Sequence, residues 1–285
     1  MSKRPPQTSP AARSNPRNPA LERAIMALQM QRPDEAERIA TGVLKADRSN
    51  ALAAQILGRS LVMQGRAAEA VAPLERAARR SEDPAIETDL AGALAAAGRH
   101  DAALDQLRRT TARRPPFLPA FLECSTQLAQ RGQLDEAVAL LESGLALVPG
   151  AVDLRMALAF AHIKRNDRVA ARAELQQAVK AAPQRHDILA ALARVMAQDG
   201  EYAEAADLFR RALALRPDDV VTRSSLGACL LEMGEREAGE ASLRAAARGG
   251  PQMAGQALTA LASASHGRFF LRPSAAAKFL RTDKA

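Results

Sequence analysis

The chain has no tryptophan, one tyrosine and two cysteines in 285 residues, and aromatic side chains make up only 3% of it. A core built on large rings is excluded, and so is the disulfide framework that staples small secreted domains. No glycine-rich phosphate loop occurs. The four histidines, His100, His162, His186 and His266, stand far apart with no second ligand at metal spacing. No run of about 18 uncharged apolar residues could span a bilayer, and no apolar leader segment is present. These absences describe a cytoplasmic protein that is not an enzyme, with no cofactor and no metal.

What is present is periodic. Small residues recur at Ala36, Ala70, Ala103, Ala137, Ala171, Ala205 and Gly239, and prolines at Pro115, Pro149, Pro183, Pro217 and Pro251. A third series holds the turn residues Gly65, Gly98, Gly132, Asn166, Gly200 and Gly234. Three series sharing one period indicate a stacked array of supersecondary units, not one closed core.

The unit is clearest at residues 186–217. Leu189, Leu192, Ala193 and Met196 recur at helical spacing. Asp199-Gly200-Glu201 interrupts the pattern with a residue suited to a left-handed helix end. A second apolar stripe follows at Tyr202, Ala205, Ala206, Phe209, Ala212 and Leu213, and Pro217 stops it. Small residues on the stripes let helix backbones approach closely.

Leu192-Ala193, Gly200, Tyr202, Ala205, Phe209, Ala212 and Pro217 resemble the tetratricopeptide repeat pattern, and Leu57-Gly58 and Leu226-Gly227 supply its Leu-Gly pair in other copies. The resemblance covers about residues 20–251. It implies an all-α, right-handed α-solenoid of about seven helix-turn-helix repeats. In place of the family's early bulky residue stand Phe121 or Leu189; Gly144 and Gly239 stand where alanine is usual, and Arg48 where proline is usual. These departures read as degenerate copies.

The expected units run 20–50, 51–83, 84–117, 118–151, 152–185, 186–219 and 220–251. Pro73 should kink the second helix of the second unit or shift its start. A further helix, 252–265, has Met253, Ala257, Leu258 and Leu261 on one face and polar residues on the other, as a cap on the stack requires. Residues 1–19 hold five prolines, four basic residues and no acid, and read as a disordered tail. Residues 266–285 form a basic aromatic tail carrying Phe269, Phe270 and Phe279. It either packs on the cap or serves as a linear motif that docks on a partner or an anionic surface; a further possibility is autoinhibition, with its rings occupying the groove of the array until displaced.

The net charge of +8 sits in these tails, since residues between them carry 31 basic and 31 acidic side chains. A nucleic-acid-binding solenoid needs a basic stripe on its body, so no specific nucleic acid is expected as a partner, beyond weak contact through the tails. Arg108-Arg109 and Arg113-Arg114 should meet carbonyl dipoles at a helix end. Asp135-Glu136 and Asp218-Asp219 belong at helix starts. Cys124 and Cys229 should be buried small hydrophobes, and His162 a packed or hydrogen-bonded core residue.

The resemblance implies that the first helices of the pairs line the inner face. Positions one step from the core stripe are Arg59, Val62 and Met63; Thr88, Gly92 and Ala95; and Leu122, Thr126 and Ala129. Then follow Met156, Phe160, Ile163 and Lys164; Arg194 and Gln198; and Ser224, Ala228 and Leu231. The clamp with which some tetratricopeptide co-chaperones hold the carboxylate of heat-shock chaperones is not matched, because asparagine is absent from these positions and the basic residues are dispersed. An apolar groove with few charges suits a protein partner that presents a peptide or helix with apolar anchors. Arg59, Met63, Thr126, Met156, Phe160, Ile163, Lys164 and Arg194 are the expected contacts, with exposed Met156, Phe160 and Ile163 at the centre; the alternative is that these three pack between neighbouring repeats or cover the C-terminal tail. Such a chain is a scaffold or adaptor; the alternative is an accessory subunit of a separate transferase- or hydroxylase-type enzyme.

Overall fold

The computed structural model describes residues 18–270 and 272–281; most of the basic N-terminal tail and the last four residues lie outside them. Every regular element among the described residues is a helix. The chain divides into two compact units, one ending at Gln127 and one beginning at Leu128.

In the first unit the helices come as α1 (Pro19–Gln29) with α2 (Pro33–Ala46), α3 (Ala51–Met63) with α4 (Ala67–Ala78), and α5 (Pro84–Ala96) with α6 (His100–Thr111). Helix α7 (Leu118–Gln130) contains the division. The second unit continues with α8 (Leu134–Leu147), then α9 (Val152–Lys164) with α10 (Arg168–Ala181), and α11 (His186–Gln198) with α12 (Tyr202–Leu215). It ends with α13 (Val220–Glu232), α14 (Arg236–Ala247), α15 (Pro251–Ser263) and α16 (Pro273–Arg281).

The turn within each pair has one geometry. After α3 the Gly65 N–H donates to the Val62 carbonyl at 3.0 Å and the Arg66 N–H to the Leu61 carbonyl at 2.8 Å, with Gly65 at φ +76°. This is the helix-ending motif that satisfies orphan carbonyls through one left-handed residue. It recurs at Gly98, Gly132, Asn166, Gly200 and Gly234, and also at Gln31 with φ +58°. First helices more often start on side-chain caps: Asn50 accepts from the Ala53 N–H at 2.9 Å, Asp83 from Ala85 at 2.8 Å and Asp219 from Val221 at 3.0 Å. Asp135 and Glu136 lie in the first turn of α8, as the sequence suggests.

Ala36, Ala70, Ala103, Ala137, Ala171 and Ala205 are all fully buried. Each pair meets there, and a larger side chain would force the helices apart. Gly58, of the first Leu-Gly pair, has the same logic in a sharper form: a Cβ on it would stand 2.5 Å from the Leu74 Cγ. The core is otherwise a chain of modest clusters. One holds Leu21, Leu28, Ala40 and Ile56, the next Leu61, Leu74, Leu90 and Leu94. In the second unit the largest runs through Leu175, Ile188, Leu192, Phe209 and Leu230.

Pro73 does not shift the start of α4. The helix begins at Ala67, directly after the turn as other second helices do, and runs through the buried proline to Ala78. Pro251 opens α15 at its first turn, where a missing N–H costs nothing. Helix α15 buries Met253, Ala257 and Leu261 and exposes Gln252, Gln256, Thr259 and Ser263.

Candidate binding surface on the first helices

In the first unit, Arg59 and Met63 project from α3 into a groove it forms with α1. Ile25, Leu52, Gln55, Arg59 and Met63 line this cavity of about 360 Å³. Met63 is 41% exposed, and Ile25 and Leu52 37% each. Met26 and Met30 add further exposed apolar surface at 56% and 57%. These α1 residues and Leu52 escaped the sequence reading, which counted outward from a repeat stripe that α1 displays only weakly. The signal was there in the apolar surplus of Ile25-Met26 and Met30 around the buried Leu21, Ala24 and Leu28.

The groove has one polar anchor. The Gln55 amide donates to the Asp89 carboxylate at 2.6 Å, joining α3 to α5. Burial pushes the Asp89 carboxyl above its ordinary range, against the pull of the Gln55 hydrogen bond and of the Arg59 charge. Thr126 is exposed, but its hydroxyl is spent on the Leu122 carbonyl of its own helix at 2.9 Å. Ala95 is buried in the core and cannot contact a partner.

In the second unit the expected apolar centre is only partly a surface. Phe160 is 41% exposed, Ile163 is half-buried, and Lys164 and Arg194 are exposed. Met156 is 6% exposed and belongs to the same buried cluster as Leu175, Ile188 and Leu192. Leu231 is likewise fully buried. The correction has a simple cause: a first helix is flanked by its own partner and by the next pair, so its free arc is narrower than one step on each side of the stripe. Helix α9 accordingly buries Leu154, Met156, Leu158, Ala159, Ala161 and His162.

The remaining sequence candidates fall into place outside this surface. His162 is packed, and its Nδ1 makes no hydrogen bond, standing 3.8 Å from the Asp167 carboxylate. Cys124 and Cys229 are buried and not joined in a disulfide, and burial pushes the Cys229 thiol up to about 11. Arg114 donates to carbonyls at the end of α6, the nearest at 2.8 Å, but Arg113 reaches across to Glu87 at 2.6 Å. Among the described residues no three histidine, cysteine, aspartate or glutamate side chains gather to hold a metal ion, and no helix is long and apolar enough to cross a membrane.

The aromatic tail folds back on the end of the second unit. The Phe270 and Phe279 rings lie 5.1 Å apart and pack against a cluster with Leu231, Leu243, Ala257 and Leu261. The guanidinium groups of Arg244 and Arg268 each sit 5.0 Å from the Phe279 ring centre, a cation–π arrangement. Buried Glu240 balances them, accepting from Arg268 at 3.0 Å and from Arg236 at 3.1 Å. The groove-occupying role read from the tail is therefore not what its rings do here; of the three phenylalanines, only Phe269 is exposed, at 74%.

Tetratricopeptide repeat family models match residues 21–85, 84–109, 128–195 and 196–263. No curated protein sequence matches the chain. Among solved structures, a thermophilic tetratricopeptide repeat protein of Thermus thermophilus is 25% identical, covering 64% of this chain and 99% of its own, with TM-score 0.50. The C-terminal part of a tetratricopeptide repeat-containing protein of Cytophaga hutchinsonii is 11% identical, covers 83% of this chain and 98% of its own, and has TM-score 0.60. Human IFIT1, solved as a dimer with m7Gppp-AAAA, is 16% identical, covers 85% of this chain and 61% of its own, and has TM-score 0.58. The last two likenesses concern the fold. Paired helices, a common left-handed turn and a buried small-residue ladder agree with the matched models, and the chain belongs to the tetratricopeptide repeat family.

Proposed function

We propose that this chain is a non-enzymatic, cytoplasmic protein-interaction scaffold that takes a peptide or helix of a partner on the exposed arc of its first helices. In this reading seven repeats span residues 20–251, α15 caps the last pair, and the tail seals the cap. The observation that carries the proposal is the α1–α3 groove. Its exposed Ile25, Leu52 and Met63 form a row of apolar anchors beside the single cation Arg59. Soluble monomeric surfaces seldom cluster such side chains without a partner, and helix-in-groove recognition uses anchors of this type. Phe160, with Ile163 beside it, is the corresponding contact in the second unit.

The test is affinity capture from source-cell lysate, comparing the wild-type chain with a Leu52→Glu, Met63→Glu variant of unchanged helicity. One protein enriched on the wild type and lost from the variant supports the scaffold reading. The same partners on both baits would sink the assignment of this face. If the captured partner is a transferase or hydroxylase whose turnover the chain alters, the adaptor is an enzyme's accessory subunit.

A further inference from the structure

On a different face of the first unit, helices α2, α3 and α4 enclose a second cavity of about 380 Å³. Its floor is apolar: Leu44, Ala54, Leu57, Pro73 and Ala77. Its rim carries Lys45, Arg48, Arg76 and Arg80, and no acidic side chain lines it. Among the described residues none of these four cations closes an ion pair with a carboxylate. Arg76 and Arg80 donate only to main-chain carbonyls, at 3.3 and 3.4 Å. The nearby Asp47 is held by the Ser49 hydroxyl at 2.5 Å, and the Arg80 charge helps keep its carboxyl low.

The equivalent cavity one repeat on, about 660 Å³ and lined by Glu87, Leu90, Arg109 and Arg113, shows what answers the arginine there. Ala54 is the fourth residue of α3, and the fourth residue of α5 is Glu87. One repeat on, Arg80 corresponds to Arg113 and Ala77 to Thr110. There the Glu87 carboxylate stands at the cavity wall over Arg113, accepting from it at 2.6 and 2.9 Å and from the Thr110 hydroxyl at 3.0 Å. The later first helices also place large side chains at this position: Phe121, Arg155, Leu189 and Arg223. Alanine at 54 has no such side chain, and it leaves out the negative charge that answers the arginine one repeat on.

We propose that this cavity binds a compact organic carboxylate. Its head would take the place over Arg80, with Arg76, Lys45 and Arg48 around it, that Glu87 takes over Arg113. Its apolar body would lie on Leu44, Leu57 and Ala77. The volume is within the range of small-ligand sites, about 300–1,000 Å³. Arginine's planar fork suits a carboxylate in two-pronged contact. The site is independent of the first-helix groove.

Calorimetric titration of the full chain with sodium octanoate tests the proposal, alongside octyl phosphate, octylammonium, octyl glucoside and the peptide acetyl-Leu-Glu-Glu-amide. Octanoate is expected to bind saturably, one per chain, and more weakly as salt rises. Arg80→Gln should weaken it by about tenfold, the loss of one charge-assisted contact. Ala54→Glu should abolish it while raising the melting temperature, because the new carboxylate restores the Glu87 arrangement. No saturable octanoate binding, or binding unaffected by Ala54→Glu, would overturn the site. Equal binding of octyl glucoside or octylammonium would reduce it to an apolar cleft, tighter octyl phosphate would overturn the carboxylate assignment, and binding of the peptide alone would make it a peptide site.

Discussion

Gly227 in α13 and Gly239 in α14 face each other so closely that a Cβ on either would stand 3.0 Å from the other's carbonyl oxygen. The same hypothetical atoms would meet Leu243 and Leu231 at 2.8 Å. Glycine at 239, which departs from the alanine of the other repeats, is thus a fitted residue and not a decayed one. It permits the pair to close where Gly227 already lacks a side chain.

Replacing Gly239 or Gly227 with alanine should destabilise the chain by about 1–3 kcal/mol, the range for overpacking a tight contact. Gly92 and Gly255, also inside helices, have nothing within 4 Å of the point where a Cβ would stand. Alanine there should be neutral or stabilise by up to about 1 kcal/mol through helix propensity. Urea denaturation of the four variants decides the matter, and a stable Gly239→Ala protein would refute the close-approach account.

Gln31 holds the left-handed turn position that glycine fills in five other turns. A left-handed L-residue is strained by about 1–2 kcal/mol, and glycine returns about 0.5–1 kcal/mol of that as unfolded-state entropy. Gln31→Gly should therefore stabilise by roughly 0.5–1 kcal/mol, with a smaller gain for Asn166→Gly because asparagine tolerates this conformation. A fall in the urea midpoint of Gln31→Gly would contradict the strain.

Asp89 supplies a pH test. Burial raises its carboxyl in the folded chain, so the folded state binds its proton more readily than the unfolded state does. Its ionisation therefore opposes folding fully above the raised value and ceases to do so below the ordinary carboxylate range. Asp89→Asn keeps an acceptor for Gln55 and should be at least as stable as wild type at neutral pH. Its advantage should shrink as pH falls through that window. Denaturation midpoints across a pH series would expose the opposite trend.

Phe279 ties α16 to the end of the second unit through Phe270, Arg244 and Arg268. Phe279→Ala should lower the free energy of opening α16 by about 1–2 kcal/mol, the combined worth of an aromatic pair and cation–π contacts. Amide exchange should speed up in residues 274–281 and near Leu243, and stay constant around Phe160 in α9. Faster exchange at Phe160 would revive the tail as a groove-covering segment.

The amino-acid sequence by itself determined the helix pairs, their turns and the buried alanine ladder. Each of these follows from local spacing: a 3.6-residue stripe, a residue able to take positive φ, and a proline or cap at the boundary. Tertiary structure decided what faces outward. Met156 and Phe160 stand one turn apart on α9, yet neighbouring helices cover the first and leave the second exposed. The partner of Arg113, the cavity beside Ala54 and Arg80, and the seat of Phe279 between two arginines likewise depend on side chains brought in from other elements. Burial is set by what packs on a helix from outside, and the period of that helix alone does not contain it.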